Sequence, residues 1–185
     1  PCIREHATPG AGMAMDCVTT ADASGNLWIH VPQTSVGTQF AMFLSAPIGF
    51  ATSQPAAVVI GQPDFTSGDG VILPTAQNAS FPDGSAAMDA NGKLYLMDSG
   101  SHRVVGFNAV PTVNHAAGDF VLGAINLTTG VIPGASATEF SDPRKMEFSG
   151  SKALLLDASN NRILIWNAVP ADGTVAADVV VGQAD

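Results

Sequence analysis

Basic side chains are scarce in this chain. Seven Lys and Arg stand against sixteen Asp and Glu among 185 residues, a formal net charge of −9. No basic stripe exists to release counterions from a phosphate backbone, which excludes nucleic acid as a partner class. Charge of either sign is low: charged residues make up 12% of the chain, against about 25% in an average globular domain. Long exposed helices need Glu and Lys along their outer faces, so this composition argues against them. No apolar run approaches the roughly 18 residues of a spanning helix, and no membrane span is expected.

Cysteine is nearly absent, with Cys2 and Cys17 the only two. They lack a CxxC spacing, and the four histidines (His6, His30, His102, His115) are scattered, so no zinc-type ligand cluster is formed in sequence. The pair suits either a disulfide clipping the N-terminal arm to the first strand or two buried free thiols. The chain opens on Pro1-Cys2 rather than Met. It therefore reads as a processed or excised segment, and an extracellular or periplasmic location is expected.

What the chain has in quantity is turn chemistry: 19 Gly and 12 Pro beside a hydrophobic fraction of 46%. That suits many short strands joined by tight turns. Its clearest feature is a repeat. Asp98-Ser-Gly-Ser-His-Arg103, then Val104 to Pro111, then Asp119 to Gly123, recur as Asp157-Ala-Ser-Asn-Asn-Arg162, Ile163 to Pro170 and Asp178 to Gly182. The offset is constant, since 157−98, 162−103, 170−111 and 182−123 all equal 59.

Strand-like segments follow the repeat. The first unit offers Gly12–Asp16 running on to Thr19, a turn cluster at Thr20–Gly25, Asn26–Val31 ended by Pro32, Gln39–Leu44 and Ala56–Gln62. The second offers Gly84–Asp89, Lys93–Asp98, Arg103–Asn108 and Asp119–Gly123; the third, Arg144–Phe148, Lys152–Asp157, Arg162–Asn167 and Asp178–Gly182. The first unit lacks the Asp…Arg pair, with Val31 and Gln39 standing in its place. Four strands per unit without helical periodicity predict an all-β chain, a β-propeller of four-stranded antiparallel blades. The blades span about 12–62, 84–123 and 143–183.

Asp157-x-x-Asn160-Asn161-Arg162-Ile163 with Trp166-Asn167, its copy from Asp98 to Asn108, and the Gly-Gln ends at Val59–Gln62 and Val180–Gln183 with Pro63-Asp64-Phe65 resemble NHL-repeat propeller blades. The resemblance covers nearly the whole chain past residue 12 and implies architecture more than activity, since one fold hosts many functions. Propellers close with about four to eight blades. Three blades imply a partial ring, completed by a second copy as a homodimer or by further blades.

Asp98, Arg103, Asp157 and Arg162 read as structural, each pair bridging a hairpin turn. Gly61, Gly123 and Gly182 read as the sharp exits of fourth strands. In an antiparallel blade, the turns between second and third strands share one face with the long connectors, Pro63–Pro82 and Ala124–Asp142. Binding residues are expected there: His102, Asn160, Asn161, Asp64 and Asp69. The acidity of that face would suit a divalent metal such as calcium, although no cofactor is required. Asn78-Ala-Ser80 and Asn126-Leu-Thr128 are glycosylation sequons on the same connectors. The function expected is a non-enzymatic module that binds or scaffolds a protein or small ligand. The alternative implied by the resemblance is a lactonase, hydrolase or lyase with an axial metal, for which Asp16, Asp89 and Glu147 on first strands are the candidate ligands.

Overall fold

The computed structural model describes residues 19–22, 24–34, 37–43, 55–65, 75–78, 85–128 and 134–183. These form three four-stranded antiparallel sheets, each a meander in chain order. The first sheet holds β1 (Thr19–Ala21), β2 (Leu27–Thr34), β3 (Gly37–Phe43) and β4 (Val58–Ile60). The second holds β5 (Ala86–Met88), β6 (Leu94–Asp98), β7 (Arg103–Phe107) and β8 (Phe120–Leu122). The third holds β9 (Pro143–Ser149), β10 (Lys152–Asp157), β11 (Arg162–Trp166) and β12 (Val179–Val181). The one helical element among the described residues is a 3-10 turn at Ser99–Ser101.

Two local expectations in the first unit are corrected. Thr20 and Ala21 are strand, not turn: they pair with Trp28 and Leu27. The turn begins at Asp22, whose carboxylate collects the N–H groups of Ser24 and Asn26 and so ends the strand there. The expected strand segment 12–18 lies outside the described residues. Pro32 does not end β2, which runs to Thr34 with a register shift between Val31 and Thr34. A residue without an N–H is tolerated inside a sheet at such an irregularity.

Register makes the three sheets comparable position by position. Val31 faces Gln39, Asp98 faces Arg103 and Asp157 faces Arg162 at the ends of the three central hairpins. Counting back from those pairs, Trp28, Tyr95 and Leu154 are equivalent, as are Ile60, Leu122 and Val181. The glycine after each fourth strand has positive φ: 91° at Gly61, 82° at Gly123 and 106° at Gly182. At Gly123 a Cβ would also lie 2.3 Å from the Phe140 ring, so the strand exit is closed to other residues twice over.

Side chains alternate across each strand, and the alternation stacks the sheets. One face of the second sheet (Leu94, Leu96, Val105, Phe107) packs on Trp28, Val58 and Ile60 of the first. Its other face (Tyr95, Met97, Val104, Leu122) packs on Met146, Leu155, Leu164 and Trp166 of the third. Covered on both sides, β6 and β7 are buried along their whole length. The backbones of neighbouring sheets come close along their first strands, β1 against β5 and β5 against β9. Large rings fill the gap between the second and third sheets. Tyr95 meets Phe120 edge-on at 5.5 Å and Phe148 at 4.8 Å, and Phe140 meets Trp166 edge-on at 6.5 Å. Such pairs add about 0.5–1.5 kcal/mol each beyond the area they bury.

Candidate functional site

The central hairpins of the second and third sheets end in buried ion pairs. Arg103 Nε lies 2.7 Å from Asp98 Oδ2, with both side chains fully buried. Arg162 Nε lies 2.8 Å from Asp157 Oδ2 in the same geometry. Each guanidinium then reaches into the connector that precedes its own sheet, and Arg103 also into the one that follows it. Arg103 Nη2 donates to the carbonyls of Thr75 and Asn78, both at 2.9 Å, and Nη1 to Leu127 at 2.5 Å. Arg162 Nη2 donates to Ser136 (2.7 Å) and Glu139 (2.9 Å), and Nη1 to Ala135 at 3.0 Å. In both cases Nη2 bridges two carbonyls three residues apart. The pairs therefore hold more than a hairpin: they fasten the turn to the described segments of its connectors.

Several other turns are stapled by aspartates. Asp22 accepts N–H bonds from Ser24 and Asn26, and Asp89 from Asn91 and Lys93, all at 2.8–2.9 Å. Asp119 and Asp178, 59 apart, accept the N–H groups of Asn108 and Asn167, both at 2.7 Å. Asp157 also takes the Ser141 N–H. Asp172 takes the N–H and hydroxyl of Thr174, which hold its carboxyl below the ordinary range. An ionised carboxylate is a strong acceptor for such donors. Much of the chain's acidity is thus turn chemistry. The Asp22 and Asp89 staples share a pattern, Asp22-Ala-Ser-Gly-Asn-Leu27 and Asp89-Ala-Asn-Gly-Lys-Leu94, that was available in the sequence. Its offset is 89−22 = 67, which falls outside the 59-residue frame.

Of the expected binding residues, three lie on the central hairpin turns. His102 and Asn161 occupy the same left-handed turn position, φ 56° and 52°. Half-buried, His102 accepts the Asp142 N–H at Nδ1 (3.3 Å), joining its turn to the next connector. Asn160 spends its amide on Gly134 O (2.7 Å) and Asp157 Oδ2 (2.8 Å). Asp64 is exposed just beyond the first sheet. Asp69, Asp16 and both cysteines, Cys2 and Cys17, lie outside the described residues. Asn160 and Asn161, with Ser159, Arg162, Ala135 and Gln183, line a shallow open cleft of about 300 Å³.

The first-strand carboxylates serve separate ends. Asp89 sits just past β5 in its turn and receives the Tyr95 hydroxyl at 3.4 Å. Burial, then the Asp89 charge and that hydrogen bond, push the Tyr95 phenol far above its ordinary value. Glu147 is exposed and pairs with Lys145 at 2.8 Å. In register Glu147 matches Ala87, and Asp89 matches Ser149, so the two are not equivalent positions. Among the described residues no group of three His, Cys, Asp or Glu is placed to hold a metal ion.

The sequons differ in setting. Asn78 is half-buried, its Oδ1 2.8 Å from His115 Nε2, whereas Asn126 is exposed and its Oδ1 accepts the Thr128 N–H and hydroxyl. The backbone N–H of His115 donates to Val59 O, tying the second unit to the first sheet. Among known proteins, the chain matches no protein-family model and no curated sequence.

Proposed function

We propose that the three sheets are NHL-like propeller blades forming part of a ring, and that the chain is a non-enzymatic binding or scaffolding module acting outside the cytoplasm. One observation carries the binding reading. Arg103 and Arg162 each bridge two connector carbonyls, so the central turns of the second and third sheets are held in a pre-organised arrangement with the connector segments 75–78 and 136–139. Rigid loops on a stable scaffold are where recognition concentrates, because little ordering entropy remains to be lost on binding. The ring reading is supported by the close approach of neighbouring sheets along first strands and by the matching register of the three central hairpins over Leu27–Val31, Leu94–Asp98 and Ala153–Asp157. Asp89 and Glu147 engage neighbours within their own sheet, which favours binding over metal-dependent hydrolysis.

The cleft beside Asn161 and Gln183 is lined by amides, a hydroxyl, backbone and Arg162, whose charge Asp157 balances, which suits a neutral polar ligand such as a short peptide or a sugar. A panel of short peptides and oligosaccharides titrated into isotope-labelled protein should shift the amides of 134–136, 159–161 and 182–183 together. The double substitution Asn161→Gly, which suits the left-handed backbone there, with Gln183→Ala should abolish those shifts. It should move the melting temperature by no more than about 2 °C, as expected of exposed positions. Shifts confined to strand faces, or surviving the double substitution, would reject the site.

A further inference from the structure

The outer face of the third sheet is built like an interior. Its side chains form two cross-strand rows: Leu156, Ile163 and Val181, then Leu154, Ile165 and Val179. By register these match Met97, Val104 and Leu122, then Tyr95, Gly106 and Phe120, in the second sheet. There the first row is at most 1% exposed, because the third sheet lies over it. On the third sheet the same row is 40%, 37% and 48% exposed, and Val179 is 45% exposed. The flanking strand exit follows suit, with Gly61 and Gln62 buried beside the first sheet and Gly182 and Gln183 exposed beside the third. Six aliphatic side chains share this face, with charge only at its edge among the described residues: the mutually paired Lys145 and Glu147, and Lys152, which bonds Asn167 Oδ1; so large an apolar patch is unusual for a solvated surface.

We propose that a second copy of this chain docks on this face head to tail, its first sheet taking the place the third sheet takes on the second. The exposed face continues an interface already formed twice within the chain. Leu94, Leu96, Val105 and Phe107 of the second sheet, and Ala153, Leu155, Leu164 and Trp166 of the third, are the residues turned toward the preceding sheet. The matching register positions of the first sheet carry Leu27, Ile29, Ala41 and Phe43, apolar throughout. A flat aliphatic sheet face is complementary to another sheet about 10 Å away, not to an extended peptide, which would leave most of it wet. The contact is heterologous, one end of the stack meeting the other. It does not depend on any ligand at the loop face.

Sedimentation equilibrium of the 185-residue chain at about 50 μM should give a mass of at least twice 18.8 kDa. Val179→Glu combined with Val181→Glu should give 18.8 kDa with unchanged far-ultraviolet circular dichroism, since both positions are exposed in the single chain. A photoreactive phenylalanine analogue at position 181 should cross-link to residues 27–43 of another copy. A monomeric wild-type chain overturns the proposal. So does association that survives the double substitution, or cross-links that fall on residues 154–181 of the other copy.

Discussion

Arg103 shows how much one side chain can organise. Its guanidinium is fully buried, and every nitrogen has a partner: a carboxylate and three backbone carbonyls from two connectors. Arginine is suited to this because its fork of donors is planar and permanently charged. Replacing it by Met keeps volume but leaves Asp98 as a buried charge without its cation, a loss of about 3–5 kcal/mol. Urea unfolding of Arg103→Met should show that loss. Adding Asp98→Leu should recover part of it, because the stranded charge is gone while the connector carbonyls still lack the guanidinium. Full recovery would mean the connector bonds contribute nothing. Tyr95 gives a second test at this scale, as the only tyrosine in the chain. Its phenol is held neutral when folded, while the unfolded phenol ionises near pH 10. The folded state thus binds the proton more tightly, and the resulting stabilisation, complete below about pH 10, declines as pH rises further. Phenolate absorbance should therefore appear together with unfolding in an alkaline titration, not before it. A phenolate band rising near pH 10 in a protein that is still folded would contradict this.

At the scale of elements, the repeated sheets differ where packing demands it. Phe120 lies across Gly106, so that a Cβ there would sit 2.1 Å from the ring. The third sheet solves the same position with Ile165 opposite Val179. Gly106→Ala should therefore cost about 1–3 kcal/mol by overpacking. Phe120→Val should relieve much of that cost in the double variant, measured as a non-additive change in urea unfolding. Strand order was legible in the sequence because apolar runs and turn residues alternate visibly, and Asp98, Arg103, Asp157 and Arg162 were legible as hairpin pairs through their spacing. Pro32 misled because a register shift let β2 continue past it. The connectors' attachment was not legible at all: the arginines' acceptors are backbone carbonyls of Thr75, Asn78, Ser136 and Glu139, and a carbonyl leaves no mark on residue identity. Asp22 and Asp89 could have been found, but inserted loop residues put them in a different frame from the 59-residue repeat.

For the whole molecule, the stack of sheets sets an order of stability. Sheets that contact only their neighbours share cooperativity through those contacts, and the middle member has two such interfaces where the third has one described. Burial follows: β6 and β7 are buried at every position, whereas β10 and β11 alternate between buried and exposed. Local opening is easiest where apolar contacts are fewest. Native-state hydrogen exchange should thus be slowest in Leu94–Asp98 and Arg103–Phe107 and faster in Lys152–Asp157 and Arg162–Trp166. Under conditions that favour self-association the second pair should slow toward the first, because a docked sheet would give the third its missing cover. In the Val179→Glu, Val181→Glu variant the gap should persist at every protein concentration. Equal protection of the two hairpins in a demonstrated monomer would mean that stability is not carried by stacking, and that the outer face of the third sheet needs no cover.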